Sequence, residues 1–115
     1  MKIITLANLA ESTTQEVFDH VVAHARKQKV KSMVGSDCRY RDMKGNSCFA
    51  GCLMTDQEYI SSGVKEGYTW EFMNIDANED LISKLQYIHD MEMIYMWEDS
   101  FKNIAFEMNL KYSQP

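Results

Sequence analysis

Apolar residues recur along the chain at changing intervals, and the changes divide it into elements. Ile3, Ile4 and Leu6 open it as a short apolar run that predicts a strand over residues 1–6. Val17, Phe18, Val21, Val22 and Ala25 then fall on one stripe at helical spacing. Ser12 and Thr13 are candidate N-caps, and Thr13 with Glu16 spells a capping box. Arg26 and Lys27 sit in the last turn, where cations suit the helix dipole, so the pattern predicts a helix over 14–28. Leu81, Ile82, Leu85 and Ile88 mark a second helix, begun by Asp76 with Glu79 or by Asn78, and ending near Asp90. Trp97, Phe101, Ile104, Ala105 and Met108 mark a third over about 95–110, with residues 111–115 as a tail.

The middle of the chain lacks helical spacing. Residues 29–37 read as a basic connector ending in Gly35-Ser36-Asp37. Lys44-Gly45-Asn46 is a turn signal, and the flanking residues predict a β-hairpin pairing 38–41 with 47–50. Pleat alternation would place Cys38, Tyr40 and Cys48 on one face and Arg39 and Arg41 on the other. Gly51, inside the apolar run, points to close backbone packing or a bulge. A short helical turn at 56–60 precedes an irregular loop, which Trp70 and Phe72 are expected to anchor. The order gives one α+β domain over 1–115: a small antiparallel sheet, from the N-terminal strand and the central hairpin, packed with three helices.

Composition and charge narrow the class. With 115 residues, 45% hydrophobic and 25% charged, the chain can bury its own core and is neither disordered nor fibrous. No apolar run approaches the roughly 20 residues that span a bilayer, and the opening run is too short for a signal peptide, so the expected setting is cytoplasmic. Residues 26–55 hold seven Lys/Arg against two Asp, whereas residues 56–115 hold four Lys against twelve Asp/Glu. The net charge of −5 argues against broad nucleic-acid binding, which needs many cations to displace phosphate counterions.

Candidate chemistry is sparse. Cys38, Cys48 and Cys52 read as free thiols in a reducing compartment. Their C-x9-C-x3-C spacing lacks the paired ligands of a zinc site, whose fourth ligand would have to come from His20, His24 or His89. His20 and His24 share a helix face, but Val21 stands where a zinc protease needs Glu. No phosphate loop, dinucleotide fingerprint or nucleophile elbow occurs. A nucleophilic Cys–His pair would have to join Cys48 or Cys52 with His24 or His89. The reading is therefore of a non-enzyme with no catalytic residue, metal or cofactor.

Four blocks carry a resemblance. They are Thr14-Gln15-Glu16-Val17-Phe18-Asp19 continuing to His24 and Gln28; Cys38-x-Tyr40-Arg41 with Gly45, Cys48, Gly51, Leu53, Asp56, Glu58 and Tyr59; Leu81-Ile82-x-x-Leu85-Gln86-x-Ile88-His89-Asp90; and Trp97-Glu98. Over about residues 13–108 the chain resembles a family of small proteins of tailed bacteriophages and prophages that has no assigned activity. It departs from that pattern at Met54-Thr55-Asp56, where an apolar-Pro-Asp step is usual, in the N-terminal strand and in the Met-rich stretch 91–96. The resemblance implies a phage accessory protein acting in the host bacterial cytoplasm.

Two functions follow as expectations. The first is a protein that binds a host protein and inhibits or redirects it, in host takeover or anti-defence, through Arg39, Arg41, Lys44 and Tyr95. Met91, Met93 and Met96 beside Tyr95 form its candidate contact patch. The second is a binder of a nucleotide or signalling molecule, with Arg39, Arg41 and Lys44 on phosphates and Tyr40 or Trp70 stacking on a base. Cys38, Tyr40, Cys48, Gly51 and His89 read as a structural motif, with His89 capping the second helix and bonding to the hairpin backbone. A homodimer by edge pairing of residues 2–6 is also open.

Overall fold

The computed structural model describes residues 2–62, 64–66 and 78–115. Four helices, α1 (Thr14–Gln28), α2 (Asp56–Ser61), α3 (Glu79–Met91) and α4 (Trp97–Glu107), accompany one two-stranded antiparallel sheet, β1 (Met33–Val34) and β2 (Asp37–Cys38). The class is α+β, with very little β. Trp70, Phe72 and Asp76 lie outside the described residues.

Helix α1 begins and ends as its sequence predicts. The Thr13 side chain accepts from Glu16 N, and the Glu16 carboxylate accepts from Thr13 N. Lys29 closes the helix in the left-handed region at φ 64°. The same box recurs at α2, where Thr55 caps Glu58 N and Glu58 reaches back to Thr55 N. Asn78 stands at the N-cap position of α3 without a side-chain cap bond. Its amide instead ties the two helix starts together, accepting from Thr14 Oγ1 at 3.0 Å and donating to the Ser12 carbonyl at 3.2 Å. The third predicted helix divides into a 3-10 turn, Ile94–Met96, and α4.

Two sequence expectations are corrected. Residues 2–5 form no strand, although Ile4 is buried. Their donors are spent internally: Ile4 N on His20 Nδ1, Thr5 N on Asn8 and Leu6 N on Glu58. These bonds use three of the N–H groups that edge pairing into a dimer through this segment would need. The hairpin lies one turn earlier than expected, across Gly35-Ser36, with Met33 opposite Cys38 and Val34 opposite Asp37. Of the expected 38–41/47–50 pairing, one bridge survives, Arg41 with Ser47. The Lys44-Gly45-Asn46 turn is real, but Asp42 organises it by accepting from Lys44 N and Asn46 N at 2.8 Å each.

The core joins α1, α3 and α4 around Phe49, which enters from the irregular segment. Phe49 meets Trp97 at 4.9 Å and His89 at 5.1 Å between ring centroids, with Phe101 at 5.8 Å. Beside it the chain passes over itself at Gly51, where a Cβ would lie 2.5 Å from the Tyr40 carbonyl oxygen. The clash is with backbone, which has little room to yield. Gly51→Ala is therefore expected to destabilise the fold by about 1–3 kcal/mol, read as a lower urea midpoint at unchanged slope.

Candidate functional site

Among the described residues, a cluster of chemistry-bearing groups lies where the C-terminal end of α3 meets the β-hairpin. Ligating atoms of Cys38, His89 and Asp90 all lie within 4.8 Å of one another. His89 is fully buried, Cys38 is half-buried and the Asp90 side chain reaches solvent.

The hydrogen bonds fix the state of this cluster. The Ser32 N–H donates to His89 Nε2 at 3.1 Å, so the ring carries its proton at Nδ1 and donates it to Asp90 Oδ1 at 2.8 Å. Gln86 Nε2 donates to the same carboxylate oxygen at 2.7 Å, and the Cys38 thiol donates to Asp90 as well. Burial works against the Asp90 carboxylate. The bonds from His89, Cys38 and Gln86 outweigh it and hold its pKa below the ordinary value. Burial, reinforced by that anion, pushes the Cys38 thiol up to about 12.

This arrangement is poor for a thiolate nucleophile. His89 has no acceptor atom left for a thiol proton, and the neighbouring anion disfavours the thiolate. It fits a metal no better. An ion at His89 Nδ1 would require either an imidazolate or a proton at Nε2, which faces the Ser32 N–H. The sequence reading considered Cys48 and Cys52 as partners for His89, whereas the cysteine that shares its cluster is Cys38. Buried Cys48 accepts from Gly51 N at 3.2 Å, and its own pKa is driven to about 12 by burial. Half-buried Cys52 donates to the Phe49 carbonyl at 3.0 Å.

The two histidines of α1 are tethers. His20 Nδ1 accepts from Ile4 N at 3.1 Å, and its Nε2 donates to the Cys52 carbonyl at 2.7 Å. His24 Nε2 bonds to the Ser47 carbonyl at 2.9 Å. Burial lowers the His24 pKa below its usual 6.5, and the Ser47 bond offsets this only in part.

The candidate partner-binding residues separate by exposure. Arg41 is not a surface cation. Its guanidinium donates to the Tyr40, Gly51 and Met54 carbonyls and to Asp56, and it lies over the Tyr59 ring at 5.2 Å. Arg39 is half-buried, 3.9 Å from Asp37, with its Nε covered and without a partner among the described residues. Lys44 is exposed at the turn. Tyr40 is buried and its backbone N–H donates to Glu66 at 2.8 Å. Tyr95 is fully presented, at 81% exposure.

Glu66 and Ser32 escaped the sequence reading altogether. Glu66 receives Tyr40 N, Arg41 N and the Tyr59 hydroxyl. Ser32 lies 57 positions from the ring it donates to, and no local signal marks such a pair.

Among the described residues, no helix is long and apolar enough to cross a membrane. Comparison with protein-family models, with curated proteins and with solved structures finds no match.

Two outcomes follow. At pH 8 the native Cys38 thiol is expected to alkylate about a hundredfold or more slowly than an unhindered thiol, with fast labelling of all three cysteines in urea; mass-resolved iodoacetamide kinetics read both. Because His24 takes up its proton at lower pH in the folded chain than in the unfolded one, its contribution is complete above pH 6.5 and is lost as pH falls below that value. Urea midpoints are expected to fall from pH 7 toward about pH 5, above the carboxylate range, and His24→Gln is expected to flatten that fall.

Proposed function

We propose that this chain is a non-enzymatic bacteriophage accessory protein that binds a host bacterial protein and inhibits or redirects it. The observation that carries the reading is a run of exposed apolar side chains, close in sequence, at the junction of α3 and α4. Met91, Met93, Ile94, Tyr95 and Met96 are all exposed, and Tyr87 on the preceding turn joins them at 60%. Single exposed apolar residues such as Met43 and Ile60 are ordinary. A run of six within ten positions marks an interaction surface. Methionine and tyrosine suit such a surface, one by adapting its shape and the other by offering a rigid ring with a polar tip.

The phage setting rests on the resemblance of the four sequence blocks. The absence of catalysis rests on the cluster at His89, whose groups are paired in a way that serves packing. The nucleotide-binding alternative loses one of its three cations, since Arg41 is committed to three carbonyls and a carboxylate.

Tyr95→Ala combined with Met93→Ser tests the proposal. Both side chains are exposed, so the variant is expected to keep its stability within about 0.5 kcal/mol. Its capture of a stoichiometric host protein from bacterial lysate is expected to drop by about tenfold or more. Undiminished capture by the folded variant would remove this surface from the function. Trp97 is unsuitable for the same test because it is buried against Phe49 and His89.

A further inference from the structure

Beside the exposed Met/Tyr run, α3 and α4 enclose an open groove of about 530 Å³. Ile88 and Ile104, both almost fully buried, give it a narrow apolar floor, exposed Tyr87 lines it as well, and the rest of its lining is polar or charged. Asp80, Glu92 and Glu107 line it from both helices. The one lysine lining it, Lys84, is 3.6 Å from Asp80. Glu92 is held by the Ser100 hydroxyl, which fixes one carboxylate at the groove. Met91 extends the Asp80–Lys84–Tyr87 stripe of α3 by one turn, so groove and patch are continuous on that helix.

We propose that this groove receives a basic amphipathic helix of the partner protein, its apolar stripe on Ile88, Ile104 and Tyr87 and its cations on Asp80, Glu92 and Glu107. The inference rests on the reading of the chain as a protein-binding module and adds the chemistry of the partner. A cleft between two helices has the form that accepts a third helix through anchors at i, i+3 or i+4, and i+7. Charge selects the sign. The charged lining is three carboxylates, Asp80, Glu92 and Glu107, against one lysine, so an acidic segment would be repelled. A second copy docked groove to groove would bring the same carboxylates face to face with these, and that docking is disfavoured for the same reason.

The test uses the full chain and two synthetic fluorescein-labelled peptides. One places Leu at helical spacing among Lys; the other has Glu in place of every Lys. Fluorescence anisotropy is expected to show binding of the Lys/Leu peptide only. Glu107→Lys is expected to weaken it by about tenfold, whereas Glu11→Lys, the same charge change at an exposed site in the first 3-10 turn, is expected to change it less than about twofold. Equal binding of both peptides, or equal loss from Glu107→Lys and Glu11→Lys, would overturn the proposal. So would concentration-dependent dimerisation in sedimentation that Glu107→Lys abolishes, since the occupant would then be a second copy. Capture of the host protein separates this inference from the reading beneath it. Loss with both Tyr95→Ala/Met93→Ser and Glu107→Lys supports both. Loss with the first alone sinks the groove and leaves the binding surface standing. Loss with neither sinks both.

Discussion

A long irregular segment, residues 39–55, is packed into the core of this protein with almost no sheet to pair its backbone. Every buried N–H and C=O left alone would cost about 1–3 kcal/mol, so side chains do the work that ladder partners do elsewhere. Gln28 takes Ser47 from both sides, accepting from its N–H and donating to its carbonyl. Gln86 accepts from Ala50 N, and the Glu66 carboxylate spans Tyr40 N and Arg41 N. Glu58 does the same for Leu6 and Ala7. Arg41 collects three carbonyls at one guanidinium. These side chains come largely from helices, whose own backbones are already satisfied, so the helices act as rigid combs that hold the coil in one path.

The residue types that usually signal chemistry are consumed by this task. Histidine, glutamate and arginine are the polar side chains able to reach across several ångströms and hold one or two backbone groups at once. That property suits a latch as well as an active site. At Asp90 the difference is visible in the partners: one carboxylate receives a histidine, an amide and a thiol, and burial beside that anion keeps the thiol protonated. An activated nucleophile would need the opposite arrangement, with cations or a free base beside the sulfur.

Legibility from sequence follows the same division. The helices could be read because their determinants are local. The Thr13–Glu16 box and the apolar stripe of α1 fix its limits within a few neighbouring residues. The box at Thr55–Glu58 has the same spacing and was open to the same reading. The hairpin was displaced because two turn signals compete in one stretch. Gly35-Ser36 closes a β-turn, whereas Gly45-Asn46 closes a loop organised by the Asp42 carboxylate. Both look alike when only the glycine is considered. The latches were beyond reach, since Gln86–Ala50 and His89–Ser32 join positions 36 and 57 apart. The motif blocks Cys38-x-Tyr40-Arg41 and Gln86-x-Ile88-His89-Asp90 acquire a physical meaning only when folded together.

Charge shows how folding redistributes a sequence pattern. The basic middle of the chain does not survive as a uniform basic face, because Arg26 pairs with Glu98 and Arg41 with Asp56, each joining the basic segment to the acidic one. Carboxylates on α3 and α4 remain in excess, next to the exposed methionines. That apolar run contributes little to folding, since its side chains bury little surface, yet it is mounted on the latched cluster of His89, Asp90 and Trp97. His89 and Asp90 immediately precede Met91, and Trp97, stacked on the His89 ring, immediately follows Met96. The latch therefore fixes both ends of the run before any partner arrives. A surface held in this way loses less conformational freedom on binding than a mobile loop of the same composition. The network that satisfies the coil's backbone thus also preorganises the surface proposed to bind.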